Sequence, residues 1–497
     1  MGIIFKQSLK NTLIIYLGFF IGGINTLVLY IRFLKEEYYG LVSYILSSSN
    51  LVMPLIALGT HFTIIKFFSS YQTKTEKDKF LVSLLFQPLL MAVIIGYFWN
   101  YFHHWIIYYV TKENAVVENY TIYIYIIAVS CAYFEVFYSW AKVQMQTVFG
   151  NTLKELYNRV AVMLLLVAVY FNFIGKQQFI SYLSYAYIFR TLIMMLYAFK
   201  LYFPKLHFSL PGNFVEVIKY TLYIILAGSA SAIVLDIDKF MIPGKDTLST
   251  AAYYTVAVFI GSFIEAPSRA MNQILQPLTS KSINENNSAE LVNLYKKSSI
   301  NLLLIGGLFF LLVNCSIVEL FKMMPQGYAK GQWVVLMIST VKLFIMLQGN
   351  NSSIISNSAY YKIILFTSVG IAALVWSLNK YFYYTLNFGT EGLAFSTLIA
   401  YLLFGWFKIW YVQARLKMFP FTKQTLKLIL LIVVFFAVFN YWSFNFKPFI
   451  VLGFDISPAI GIALKSILII FPYIYLVYKL KISEQINSLV SKVLIKF

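Results

Sequence analysis

The residues of this chain that could do chemistry are ionisable groups set inside apolar stretches. Arg190 is the clearest, in the run Tyr-Ala-Tyr-Ile-Phe-Arg-Thr-Leu from Tyr185 to Leu192. An ionised group at the centre of a bilayer costs about 2.5–3.5 kcal/mol on insertion scales, so it requires a partner, a wet cavity or a function. A guanidinium fork matches phosphate oxygens, and Arg190 is therefore a candidate for holding a pyrophosphate or an acidic sugar. The structural alternative is a pair with Glu135. Lys342 lies in a second apolar run and could hold an anionic headgroup, or snorkel on its long stem. Lys408 and Lys465 stand nearer the ends of their runs and read as snorkelling cations. Glu265 and Arg269 are four apart, on one helix face, with Pro267 between them to kink the helix. Asp236 and Asp238 close another run beside Lys239, where two carboxylates are either solvated or able to take a cation.

Other chemistries find no support in the spacing. His61, His103, His104 and His207 show no catalytic pattern, and Cys131 and Cys315 form neither a metal set nor a disulfide framework. No phosphate-binding glycine loop is present, which argues against a self-contained ATP-driven pump. No catalytic residues are expected, and the chain does not read as an enzyme.

The elements that position these groups are membrane helices. Of the 497 residues, 60% are hydrophobic and 12% charged, at a mean hydropathy of +0.74. Globular domains carry roughly 25% charged residues, so the surface of a water-soluble protein is lacking. Apolar segments of span length fall near residues 11–31, 41–62, 80–102, 119–140, 157–174, 179–200, 216–236, 250–272, 299–319, 332–350, 361–379, 391–411, 424–443 and 458–478. The expected fold is an all-α polytopic membrane protein of about fourteen helices. The second segment is diluted by Ser43 and by Ser47 to Asn50. Small and hydroxylated residues are tolerated where membrane helices pack closely. Lys6 and Lys10 precede an apolar run without a cleavage site, so it reads as a retained first helix.

The net charge of +20 belongs to the loops. With the N-terminus in the cytoplasm, 25 of the 39 Lys and Arg fall in cytoplasmic segments, ten outside and four within spans. That asymmetry predicts an even number of spans with both termini inside, with lysines touching anionic lipid headgroups rather than nucleic acid. The longest loop, 273–298, is expected to hold a capped surface helix from Ser288 to Lys297, and the tail from Lys479 to Phe497 an interfacial amphipathic helix. A faint repeat links residues 29–45 with 234–241 and 251–260: a charged helix end, an outside turn, then tyrosine and a small residue. Repeated halves are a mark of transporters, with the substrate site between them.

These residues resemble the Wzx-type polysaccharide flippases of the MOP superfamily. Arg32 to Gly40 resembles the arginine, acidic residue and Tyr-Gly after that family's first helix, and Leu58-Gly59-Thr60 the turn within its second. Asp238 to Met241 with Tyr253 and Tyr254 looks like the matching junction of helices seven and eight, and Gln276 to Ser280 like the proline segment after the eighth. Pro325 to Tyr328, the Asn350, Asn351 and Lys362 turn, and Phe388 to Ala394 resemble later marks. The sequence departs from the pattern at Pro243-Gly244-Lys245.

The resemblance implies lobes over 1–210 and 211–415, with two further helices and the tail over 416–497. It implies export of undecaprenyl-pyrophosphate-linked oligosaccharide across a bacterial inner membrane, for O-antigen or capsule, alongside polymerase and chain-length proteins. Arg190, Lys342, Arg32 and Arg269 would be substrate-facing cations. Asp236, Asp238, Glu265 and Glu135 would be candidates for Na+ or H+ coupling, with no other cofactor; the second acid wanted in the eleventh span is replaced by Asn379. The alternatives are a multidrug or cation antiporter of the same superfamily, or a membrane-embedded glycan polymerase.

Overall fold

A computed structural model describes residues 2–110, 114–206, 209–442, 444, 446–451, 454–483 and 487. Each of the fourteen apolar segments is helical. We label them α1 (Lys10–Leu34), α2 (Glu36–Ala57), α3 (Lys74–Tyr97), α4 (Ala115–Val143), α5 (148–170), α6 (Lys176–Leu201) and α7 (Phe214–Met241). The remainder are α8 (Leu248–Arg269), α9 (Ser288–Cys315), α10 (Gln326–Leu347), α11 (Ile363–Thr385), α12 (Gly389–Leu416), α13 (Lys423–Asn440) and α14 (Ser457–Lys479). By length and composition 12 of these can cross a membrane among the described residues, and α7 makes 13 if its two halves, bent by 50° after Ala230, form one span. Small residues from Gly228 to Ala232 occupy that bend, as expected where a helix kinks without proline. Helix α5 falls short on composition because Lys154, Glu155 and Arg159 crowd its first half. The only strand pairing among the described residues is a two-residue ladder, Ile450–Val451 against Phe454–Asp455.

The chain divides into two compact units, one of residues 1–255 and 368–385, the other of 256–367 and 386–497. In the first, aromatic and aliphatic side chains of α3, α4 and α6, among them Phe80, Phe134, Trp140 and Met194, form a buried core. Helix α2 is 67% buried over its most apolar stretch, and this explains its composition. Ser43 meets the Thr255 hydroxyl at 2.5 Å. Ser49 donates to the carbonyls of Ile45 and Ile124. The helix breaks at Leu58 and Gly59, both left-handed, and resumes over Thr60–Phe67. Gly59, at φ 70°, is the residue type that takes this conformation without strain. At the other end, a Cβ on Gly40 would overlap the Leu248 carbonyl, so only glycine allows α2 to approach the start of α8 this closely. The two stretches of the sequence repeat therefore touch, and Tyr253 also donates to Glu36.

In the second unit, α9 packs with α10, α13 and α14 around Leu302, Phe310, Ile432 and Tyr473. The expected surface helix from Ser288 to Lys297 is instead the opening of α9. Asn287 caps the Glu290 N–H, and the helix runs unbroken to Cys315. A helix over Ala266–Asn284 fills most of the remaining loop. The asparagine turn after α10 is tied to α9 and to Thr279: Asn350 donates to Thr279 at 2.8 Å, and Ser298 donates to Asn350 at 3.1 Å. The proposed amphipathic tail lies almost wholly outside the described residues.

Lys465 does not snorkel. It is 2% exposed and donates to Glu319 at 3.0 Å and to the Cys315 carbonyl at 2.6 Å. The short helix Ile317–Lys322 packs against α14 and presents the carboxylate, which hydropathy alone could not reveal. Removing one partner of a buried pair strands the other charge, so Lys465→Met is expected to cost about 3–5 kcal/mol. Glu319→Leu combined with Lys465→Met should recover most of that loss, as measured by thermal unfolding in detergent; equal instability of single and double variants would refute the pairing.

Candidate functional site

Arg190 lies on α6, 5% exposed, and faces α4. Its guanidinium carbon sits 4.0 Å from the centre of the Phe134 ring and 4.9 Å from that of Tyr187. One terminal nitrogen reaches Cys131 Sγ at 3.5 Å, and Nε has no hydrogen-bond partner among the described residues. The next residue, Thr191, donates to the Ser130 carbonyl at 2.8 Å and fixes the register of α6 on α4. No carboxylate lies within ion-pair distance of Arg190 among the described residues.

Glu135, the expected partner, is held by Lys154 at 2.5 Å. The cause is the length of α5. It begins at Val148 rather than near 157, and its additional turns bring Lys154 opposite α4. Lys154 and Arg190 lie within electrostatic reach of one another. Further along α5, Arg159 pairs with Glu155 at 3.1 Å and stacks on Phe19 of α1. A Cβ on Gly18 would overlap the Arg159 guanidinium, so glycine there makes room for it. The first unit thus pairs Lys154 with Glu135 and Arg159 with Glu155, and sequence reasoning missed both cations because they dilute the hydropathy of α5.

Asp236 and Asp238 end α7 and are buried rather than solvated, at 9% and 7% exposure. Asn50 of α2 donates to Asp236 at 3.0 Å, and Lys239 adds an ion contact at 3.4 Å. Asp238 accepts from Tyr254 at 2.5 Å and from Asn379 of α11 at 2.7 Å. Asn379, noted only as standing where an acid would be wanted, is thus in direct contact with the carboxylate.

Beyond α7, the turn at Ile242–Gly244 that departs from the family pattern is held by Asn114, which sequence reasoning did not single out. Its amide donates to the carbonyls of Pro243 and Asp246 and accepts from the Leu248 N–H. Tyr383 donates to Asp246 at 2.5 Å, and Lys245 donates to the Tyr383 carbonyl.

In the second unit, Glu265 ends a short 3-10 turn before the helix containing Pro267. Lys342 of α10 contacts its carboxylate at 2.5 Å, and Arg269 approaches the other oxygen at 3.7 Å. Two cations share one carboxylate, so the expected i,i+4 pair is present with Lys342 as its closer third member. Arg32 is exposed in the last turn of α1.

Two grooves of about 530 Å3 flank α6, one lined by α5 and one by α3 and α4. Their walls, such as Leu164, Phe189, Leu89 and Met195, carry no charge. They suit hydrocarbon chains and exclude a diphosphate.

A family model described as polysaccharide biosynthesis protein matches residues 8–281. Comparison with curated proteins by sequence gives no match. Among solved structures, the lipid II flippase MurJ in an inward closed conformation is similar over 96% of this chain and 100% of its own, at 14% identity and a TM-score of 0.69. The MATE multidrug transporter DinF-BH is similar over 83% and 95%, at 13% identity and a TM-score of 0.62. A MOP superfamily transporter from Pyrococcus furiosus is similar over 83% and 96%, at 12% identity and a TM-score of 0.58. At these identities the likeness is one of fold.

The Asp238–Asn379 contact makes a direct prediction. Asn379→Leu removes a donor to a buried carboxylate and should cost about 1.5–3 kcal/mol in thermal unfolding. Asn379→Asp sets two carboxylates against each other, and its stability should recover with Na+ but not with choline. Indifference of both variants would rule out a buried, donor-dependent Asp238.

Proposed function

This chain belongs to the polysaccharide biosynthesis protein family, and from that premise we propose that it flips lipid-linked oligosaccharide across a bacterial inner membrane. The cargo of this reading is a glycan on undecaprenyl pyrophosphate, destined for surface polysaccharide such as O-antigen or capsule. Polymerase and chain-length proteins would act next in the same pathway. Both termini lie in the cytoplasm, as the excess of lysine in alternate loops supports. The lobes 1–210 and 211–415 alternate access to a site that opens to one leaflet and then the other, and the helices of 416–497 accompany them.

The observation that carries the reading is Arg190. A buried guanidinium with an unpartnered Nε and two aromatic rings for company is a site that an anion would complete. The cargo's diphosphate loses hydration on leaving the headgroup layer, and a preformed cation offsets that cost. Lys342, Arg269 and Arg32 are further candidates for contact with the cargo. The end-to-end match with a lipid II flippase supports a cargo of the same chemical kind.

A multidrug or cation antiporter is the second reading, favoured by the buried carboxylates of Asp236 and Asp238. The two readings combine if those carboxylates couple Na+ or H+ to the flipping of an anionic cargo. Glu135 and Glu265 suit coupling less well, because close cations already neutralise them.

A deletion strain should accumulate lipid-linked glycan in the inner leaflet. Complementation by Arg190→Ala should export roughly ten- to a hundredfold less than wild type, the loss expected for a charge-assisted hydrogen bond. Arg190→Lys should retain part of the activity. Normal export by Arg190→Ala at normal membrane levels would overturn the role of this residue, and single glycan units stranded on the outer leaflet would point to a polymerase.

A further inference from the structure

We propose that a basic cleft in the second unit, where the ends of α9, α13 and α14 meet, binds the phosphate of a membrane-lipid headgroup. The cleft has a volume of about 290 Å3. Lys296 and Lys297 enter it from α9, and Lys481 from the segment that follows α14. None of the three makes an ion pair among the described residues, and no described residue lining the cleft is acidic. Glu290, one turn before Asn293 on α9, is engaged by the Asn287 amide at the helix cap.

The floor of the cleft is built. Asn301, 7% exposed, accepts from Ser483 at 2.7 Å, which fixes the segment carrying Lys481 to α9. The third wall is the start of α13. Thr422 caps the Thr425 N–H, leaving the N–H groups of Lys423 and Gln424 without acceptors inside the helix. An 18-residue helix directs the positive end of its dipole at the same space. Three lysines, a helix start and a hydrogen-bonded polar floor therefore line one cleft, and no described carboxylate balances them. All three helix ends lie on the face that the distribution of loop lysines assigns to the cytoplasm.

A phosphate ester is the ligand that uses these features together. It carries the charge for the lysines and the oxygens for the backbone N–H groups. An apolar molecule would find no match, and a cation would be repelled. The site is separate from Arg190 and holds whether or not the chain flips glycan.

The full chain in phosphatidylcholine nanodiscs supplies the test, with phosphatidylglycerol incorporated in one arm and inorganic pyrophosphate added in the other. Native mass spectrometry and thermal unfolding read the response. Wild type should retain phosphatidylglycerol, and K296Q/K297Q/K481Q should lose occupancy at least about tenfold, in keeping with the contribution of each lysine near an anionic surface. The charge-matched variant K74Q/K77Q/K79Q, in the first turns of α3, should retain it. Lys297→Gln alone gives an intermediate loss and serves if the triple variant fails to fold. Stabilisation by pyrophosphate as well assigns the site to phosphate itself, whereas a response to phosphatidylglycerol alone assigns it to the lipid surface. Equal loss in both triple variants, or no response of the wild type to either probe, overturns the proposal.

Discussion

A charge in the hydrocarbon must be partnered, hydrated or employed, and nearly every buried ionised group described in this chain obeys the first option. Glu135 has Lys154, Asp236 has Asn50 and Lys239, and Asp238 has Tyr254 and Asn379. Glu265 has Lys342 and Arg269, and Glu319 has Lys465. Arg190 departs from this rule. A desolvated cation over an aromatic face gains about 2 kcal/mol, while burying an ion costs several. The rings of Phe134 and Tyr187 thus reduce the cost of the guanidinium without removing it, and an incoming anion would supply the rest.

The same rule shapes the helices that surround these groups. Helix α2 tolerates its serines and Asn50 because it is enclosed by protein, where Ser43, Ser48, Ser49 and Asn50 each find a partner. Its glycine at position 40 lets its backbone meet the start of α8, where Ser43 and Thr255 share a hydrogen bond. Close approach and paired polarity take the place of a hydrophobic driving force, which is weak between helices already surrounded by lipid. Asn114 does comparable work at a loop, satisfying three backbone groups that the turn after α7 would otherwise leave open.

Much of this was legible in the sequence. All fourteen apolar segments are helices, including the diluted second, and the turn at Leu58 and Gly59 falls inside it as the resemblance implied. What the sequence could not reveal is pairing between distant positions. Lys154 looked like a loop lysine because charges conceal the start of α5, so Glu135 was matched with Arg190 instead. Lys465 looked like a snorkelling residue because its partner, Glu319, sits on a separate short helix. Asn379 was noted for what it lacked as a ligand, yet an amide can donate to a buried Asp238 where a second carboxylate would repel it. Hydropathy measures a residue against lipid; these groups are set by the side chain across from them.

The central claim is that an anionic lipid-linked glycan crosses the bilayer through this protein. It is tested most directly in proteoliposomes that contain the purified chain and a defined lipid-linked diphosphate oligosaccharide, initially masked from an external lectin. Lectin binding that rises with time, only in vesicles containing the protein, is the predicted result. A rate no greater than in protein-free vesicles, from protein that remains folded, would contradict the account.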